Sequence, residues 1–364
     1  MRIAVLANLK KNAPRWDGMP TDQWDDLDSE KTVNGIVEAL RNGGHEAEFL
    51  EASIQPPYSL IETLTAFKPD LCFNIAESHF GDGREAQVPA ILEMMRLPYT
   101  GSKVLTLALA LDKAMTKRIL HYHGLPTPEF QVFEREDEPI DADLTDESGQ
   151  LLFPLFVKPT REGTSMGIGP DSIVRTVEEL RRQVGYELKR YNQPILAEHY
   201  IKGREMTVGM IGNLLPNQAR RIDERSFDAS MNATLTFLPV LEVDTQRHAH
   251  TEGDLYTNRM KVELADDFNY FCPAPIDDAL KDYLCLLAGA VFRVTGCKDV
   301  ARVDFRLDEQ NGNQPYILEI NPLPGLSPGF SDLCLQADAM GWSYQRLINT
   351  IAETAFERYG LAAR

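Results

Sequence analysis

Short apolar runs alternate with helix-period segments over the first hundred positions. "RIAVLA" is an apolar run bounded by polar residues and predicts a buried strand. In "SEKTVNGIVEALRNGGHE" Val33, Ile36, Val37 and Leu40 recur at helical spacing, Ser29 stands at the N-cap position, and Gly43-Gly44 ends the helix. "AEFLEA", "SLIETLTAFKPD" and "LCFNIA" continue as strand, helix, strand, and "AQVPAILEMMRLPYTGS" returns through a helix. This alternation predicts a parallel sheet with helices on its faces, closed near residue 105. Ligands of such sheets gather at the carboxyl ends of the strands, where "NIAESHFGDGREAQ" sits.

Further on, "LTLALALDKAMTKRILHYHGLPTPEF" predicts one helix stopped by Gly124 and two prolines. Residues 134–150 read as an acidic, solvated loop. "LLFPLFVKP" predicts a strand, followed by a Gly-rich loop and a helix around "VEELRRQVGYELKRY". "ILAEHYIKGREMTVGMIG" reads as strand, turn, strand; residues 277–296 as a long helix; "SYQRLINTIAETAFERYG" as an amphipathic helix that covers a sheet. No internal repeat is visible.

Composition narrows the function. Hydrophobic residues make 43% and charged residues 25% of the chain, ordinary for a globular protein. The formal net charge of −18 repels a phosphate backbone, so no nucleic-acid partner is expected. The five cysteines form no CxxC pair or metal-like spacing, which suggests a reducing compartment. "MRIAVLANLK" lacks the apolar region of a signal peptide, and no stretch reaches membrane-span length. A cytoplasmic protein without a membrane partner is the expectation.

The candidate chemistry begins in "ARVDFRLDEQNGNQPYILEINPLPG". Two apolar strands flank a turn containing Asn-Gly, a hairpin signal. Side chains alternate faces, so Arg302 and Asp304 share one face, as do Glu319 and Asn321. If the strands pair, two carboxylates and an amide oxygen converge as hard ligands suited to Mg²⁺. A structural Arg–carboxylate network explains the same four residues equally well. In "FVKPTREGTSMGIG" Lys158 ends a strand, and Gly163, Gly167 and Gly169, with Thr164 and Ser165, offer backbone N–H groups and hydroxyls to phosphate. It is not a Walker loop, and a plain surface loop competes with it. Lys113 is a second candidate cation, although a lone helix lysine is usually solvated. In "LAEHYIKGRE" a strand edge would read an adenine and Glu205 would accept from ribose hydroxyls, whereas each glutamate alone reads as a surface acid.

Taken in order, "LPYTGS", "LDKAMTK", "FVKPTREGTSMGIG", "EHYIKGREMTVGMIG", "ARVDFRLD" and "ILEINPLPG" resemble the ATP-grasp superfamily, and within it the D-alanine–D-alanine ligases, over nearly the whole chain. The resemblance implies an α/β (α+β) fold of ATP-grasp architecture. Residues 1–108 would form a Rossmann-like domain, and residues 109–196 and 197–364 two α+β subdomains clasping ATP. It further implies that Lys113 and Lys158 contact phosphates, with Thr164 and Ser165 in the loop over the γ-phosphate. Glu198, His199 and Ile201 would lie along the adenine and Glu205 at the ribose. Asp304, Glu319 and Asn321 would bind two Mg²⁺ ions, or Mn²⁺ in their place. Arg302 and the Gly325 N–H would stabilise the transferred phosphoryl group and tetrahedral intermediate. Residues 245–263 would close over the site, with Tyr256 and Lys261 where the family's loop carries Tyr and Lys.

The amino-terminal part departs from the family. Its Gly-Gly-x-Ser-x-Glu signature is absent after the first strand, leaving Asp28 or Glu30 to supply an anion for the first substrate's ammonium. Both also read as helix-capping residues. Glu77 falls near the family's His position, and Arg84-Glu85 replace part of a glycine turn. Ser327 and Ser331 would bind a substrate carboxylate. The implied activity is an ATP-dependent carboxylate–amine ligase acting through an acyl phosphate on small molecules, amino acids foremost. A homodimer is compatible with the resemblance. A regulatory ATP-binding module and a phosphoryl transferase are the alternatives.

Overall fold

The computed structural model describes residues 1–55, 59–146, 148–215, 232–245, 255 and 270–361. Its first unit is a parallel sheet in the order β2 (Glu46–Glu51), β1 (Arg2–Ala7), β3 (Leu71–Asn74). Helices α1 (Glu30–Asn42), α2 (Leu60–Phe67) and α3 (Gln87–Met95) follow the strands as the alternating pattern requires. The Ser29 side chain accepts from the Thr32 N–H and starts α1.

The segment expected to be one helix forms two, α4 (Val104–Leu111) and α5 (Lys113–Tyr122). Asp112 breaks them apart. Its backbone is extended, and its carboxylate caps α5 through the Met115 N–H while accepting from Arg161. Leu107, Ala110 and Leu111 before the break and Ala114 and Leu120 after it are buried, so apolar spacing alone does not mark the break.

An antiparallel sheet follows in the order β4 (Phe130–Phe133), β7 (Ile195–His199), β5 (Leu155–Pro159), β6 (Ile173–Val174), with α6 (Val177–Tyr191) packed on it. A division of the chain between residues 196 and 197 falls inside β7. A larger sheet runs β11 (Tyr270–Phe271), β10 (Leu241–Val243), β8 (Glu205–Gly212), β12 (Asp299–Asp308), β13 (Gln314–Asn321), with β9 (Leu235–Phe237) beside β8. Gly203 turns the chain from β7 into β8. A Cβ there would lie 1.9 Å from the Leu307 carbonyl oxygen, so the turn demands glycine. Helix α7 (Asp278–Val294) covers one face of this sheet, with Leu284, Leu287, Val291 and Phe292 buried.

Helices α8 (Asp332–Ala339) and α9 (Tyr344–Tyr359) end the fold. The last helix covers the large sheet, as its amphipathic pattern implies, and also packs against α1. Val33, Ile36 and Leu40 share one core with Leu347, Ile351 and Phe356. Asn349 donates to the Ala39 carbonyl, and Arg358 pairs with Asp299 at 2.6 Å while donating to the Tyr99 carbonyl. Among the described residues, no helix is long and apolar enough to cross a membrane.

Candidate active site

The cleft between the two antiparallel sheets takes one wall from β5 and β7 and the other from β8, β12 and β13. Phe156, Met166, Ile168, Ile201, Leu255 and Leu318 give it an apolar slot, while Lys113, Lys158, Arg302 and Glu319 give it a charged end. Its space, the open mouth included, is about 960 Å³. An apolar slot with one cationic end suits a flat, amphipathic ligand carrying anionic groups.

The hairpin of β12 and β13 sets the charged end. Its register opposes Arg302 to Asn321 and Asp304 to Glu319, so the four polar side chains converge as strand alternation predicts. A bulge after Asp304 shifts the remaining pairs. The Arg302 guanidinium grips Asp304 through two hydrogen bonds, at 2.9 and 2.8 Å, and approaches Asp332 to 3.2 Å. Thr207 and the Asn321 amide N–H also donate to Asp304. Burial disfavours charge on Arg302, but Asp304 and Asp332 outweigh it and hold the guanidinium firmly protonated. Lys113 stands 3.2 Å from Glu319 and donates to the Glu162 carbonyl.

The four residues thus form the Arg–carboxylate network weighed above. They also retain a hard-oxygen donor set, because the Asn321–Asp304 bond uses the amide nitrogen and leaves the amide oxygen. Among the described residues, no three His, Cys, Asp or Glu side chains gather into a metal cage. Two carboxylates and one amide oxygen fit Mg²⁺, which keeps places for water and phosphate, provided Arg302 shares Asp304.

The glycine-rich loop arches over the same end. Thr164 and Ser165 both adopt positive φ, at 47° and 56°. That is an unfavourable conformation for any side chain, and more so for a β-branched one. Gly167 also has positive φ, and a Cβ on it would lie 2.8 Å from the Pro159 ring. Ser165 lines the first cleft and Thr164 a second one behind it.

Glu198 lines the slot beside His199 and Ile201. It is buried between two lysines, 2.6 Å from Lys158 and 2.7 Å from Lys117. Burial alone would raise its carboxyl; the two lysines outweigh it and hold it below the ordinary range. Burial pushes the Lys117 ammonium down to about 8, with Glu198 opposing. Lys117 was missed, since a second lysine on an amphipathic helix gives no sign of burial. His199 and Ile201 line the slot. Glu205 also lines it, with its carboxylate on Arg306 at 2.6 Å; Arg306 in turn donates to the Tyr200 hydroxyl and the Ile201 carbonyl.

The second cleft shares Lys113, Glu162, Arg302, Glu319 and Asp332 with the first, and runs on to Asn321, Gly325 and Ser331. Its far wall comes from the parallel-sheet unit and carries Asp26, Glu77 and Glu85. Burial pushes all three carboxyls up, Glu85 to about 7. Arg84 is buried behind them, on Asp26 at 3.0 Å and Glu162 at 3.2 Å. Glu77 and Ser331 therefore reach the cleft as expected. Ser327 contributes its backbone N–H to the Ser331 hydroxyl. Glu30 does not reach the cleft: it is exposed on the first turn of α1 and paired with Lys11. Asp26 lines the cleft instead, and Asp28, the other candidate, is buried close enough to Glu77 to act on its carboxyl. Tyr256 and Lys261 lie outside the described residues, as does most of the expected closing loop.

The model of the D-ala D-ala ligase C-terminus family matches residues 119–353. The chain is 34% identical over 337 residues to an uncharacterized protein, y4sG, of Sinorhizobium fredii, covering 90% of this chain and 88% of that one. It is 31% identical over 322 residues to a D-alanine–D-alanine ligase of Bordetella avium, covering 88% of each. In fold it resembles the D-alanine–D-alanine ligase of Bacillus anthracis complexed with ATP, with a TM-score of 0.69, 24% identity and 99% of both chains covered.

Proposed function

The chain belongs to the D-ala D-ala ligase C-terminus family, whose relatives are ATP-dependent ligases that make a carbon–nitrogen bond, and we propose how its residues divide that work. The observation that carries the reading is the meeting of two clefts at Lys113, Arg302 and Glu319. A nucleotide in the apolar slot places its terminal phosphates at these residues. A carboxylate in the second cleft meets them from the other side.

Lys113 and Lys158 neutralise the phosphates, and the backbone N–H groups around Thr164 and Ser165 cover them. Glu205, with Arg306 behind it, faces the sugar. Asp304, Glu319 and Asn321 would hold Mg²⁺, which would supply charge neutralisation for the transferring phosphoryl group. The substrate carboxylate attacks the γ-phosphorus, the bond to ADP breaks, and an acyl phosphate forms. A neutral amine then attacks the acyl carbon, and the tetrahedral intermediate expels phosphate to leave an amide. Arg302 and the Gly325 N–H face the developing oxyanion; each such donor is typically worth about 3–4 kcal/mol. Amino acids are the proposed substrates for both positions.

The test is ADP release with Mg²⁺ across amino acids of both chiralities, with the product identified by mass. An amide supports ligation. A stable phosphoester would replace it with phosphoryl transfer, and nucleotide binding without turnover would favour a regulatory module.

A further inference from the structure

We propose that the second cleft is built for a carboxylate substrate with two cationic nitrogens, a diamino acid rather than alanine. The inference rests on the ligase reading for the orientation of that substrate, with its carboxylate toward Arg302 and Gly325.

The far wall gathers carboxyls from four separate stretches. Asp26 precedes α1, Glu77 follows β3, Glu85 lies in the turn before α3, and Glu162 follows β5. One guanidinium, Arg84, stands among them. It donates to Asp26 Oδ2, to Glu162 Oε2 and to the Arg161 carbonyl. Four carboxyls against one guanidinium leave an excess of three acidic groups. Lys113 offsets only part of it, acting on Glu85 and Glu162 while standing 3.2 Å from Glu319.

A second observation points to an absent partner. The Asp26 side chain is 7% exposed, and its other oxygen, Oδ1, is buried with no hydrogen-bond partner. Folded proteins rarely leave a buried carboxylate oxygen unbonded. Among the described residues, the side chains of Glu77 and Glu85 have no hydrogen bond and no cation within ion-pair distance, and Arg84 acts on both only from farther off. Acidic groups raised by burial inside a cleft mark a place where positive charge is to be supplied. The α-ammonium of an amino acid supplies one charge. A side-chain ammonium or guanidinium supplies another, and Leu111 and Leu323 give its methylene stem an apolar path across the cleft. A methyl side chain would leave the wall unanswered.

Calorimetric titration of the protein with Mg²⁺ and a non-hydrolysable ATP analogue tests this without turnover. Lysine and ornithine, each in both chiralities, are compared with the neutral chains norleucine and norvaline, and with alanine. The expected result is at least ~10-fold tighter binding of one dibasic amino acid than of its neutral counterpart. In Glu77→Gln and Asp26→Asn that ratio should fall to within about threefold. Glu85→Gln provides a third variant should either misfold, and the wild-type ratio stands without any variant. Equal or tighter binding of the neutral amino acids, no binding of any, or an unchanged ratio in folded variants would overturn the proposal. ADP release separates it from its premise. Tight dibasic binding with no ADP release under any amine sinks the ligase reading alone. ADP release driven by alanine, without dibasic preference, sinks this inference alone.

Discussion

The hydroxyl of Tyr191 donates to the carboxylate of Asp22 at 2.8 Å. Asp22 lies in the amino-terminal stretch before α1, and Tyr191 ends α6. The same carboxylate takes Arg190 at 2.8 Å and the Gly167 N–H at 3.2 Å. One side chain from the parallel-sheet unit thereby fastens the glycine-rich loop. Hydrogen bonds to a charged group are worth about 1.5–3 kcal/mol each, which is enough to bias a loop. Asp22→Ala is expected to raise the KM for ATP roughly tenfold, more than it lowers kcat, and to speed proteolysis within residues 161–169. Steady-state kinetics and limited digestion check both.

Glu198 holds two buried ammonium groups, so its loss strands both. Removing one partner of a buried pair costs about 3–5 kcal/mol, and Glu198→Gln should lose at least that in urea unfolding. Surface pairs give a control: Lys11→Ala, which breaks the exposed contact with Glu30, should change stability by less than about 1 kcal/mol.

Glu187 gives a pH signature away from the active site. It is buried on α6, Gln183 donates to one of its oxygens, and the other has no partner. Burial pushes its carboxyl from 4.5 to about 7. Between those values the folded protein keeps a proton that the unfolded chain releases, so stability falls as pH rises from about 4.5 and levels off above 7. Glu187→Gln should remove this loss, leaving stability at pH 5 nearly unchanged and raising it at pH 8 on the order of 3 kcal/mol. Denaturant midpoints at the two pH values decide it.

Glu319→Gln removes one charge from the proposed Mg²⁺ set. Turnover should be abolished with the circular dichroism spectrum unchanged. Mn²⁺ titrations followed by electron paramagnetic resonance should show a loss of affinity larger than the roughly 10–100-fold typical of outer-shell changes. Unaltered Mn²⁺ binding would remove Glu319 from the metal set.

The hairpin was legible because period-2 alternation decides which side chains share a face, and Asn-Gly marked where the chain reverses. The connection differs from a two-residue Asn-Gly turn: a 3-10 turn over Glu309–Asn311 comes first, and positive φ falls on Gly312 and Asn313. The Asp112 break was hidden, since buried apolar residues recur on both sides of it and only the capping carboxylate marks it. Lys117 was invisible as a functional group, and Arg84 stood out only as a departure from a glycine turn, for another reason. Each is defined by partners far away in sequence, Glu198 for the first and Asp26 with Glu162 for the second. Glu30 was misplaced because a helix-start acid looks the same whether it caps, pairs on the surface or faces a cleft.

The shared core of α1 and α9 bears on how the protein is made. A chain emerging from the ribosome presents the first sheet long before its final helix exists. Until Leu347, Ile351 and Phe356 arrive, α1 rests only on the first sheet, and the part of it that packs against them is left uncovered. The amino-terminal third would therefore be born sticky and would mature only at chain release. Truncation before residue 344 should yield inclusion bodies instead of a smaller working enzyme.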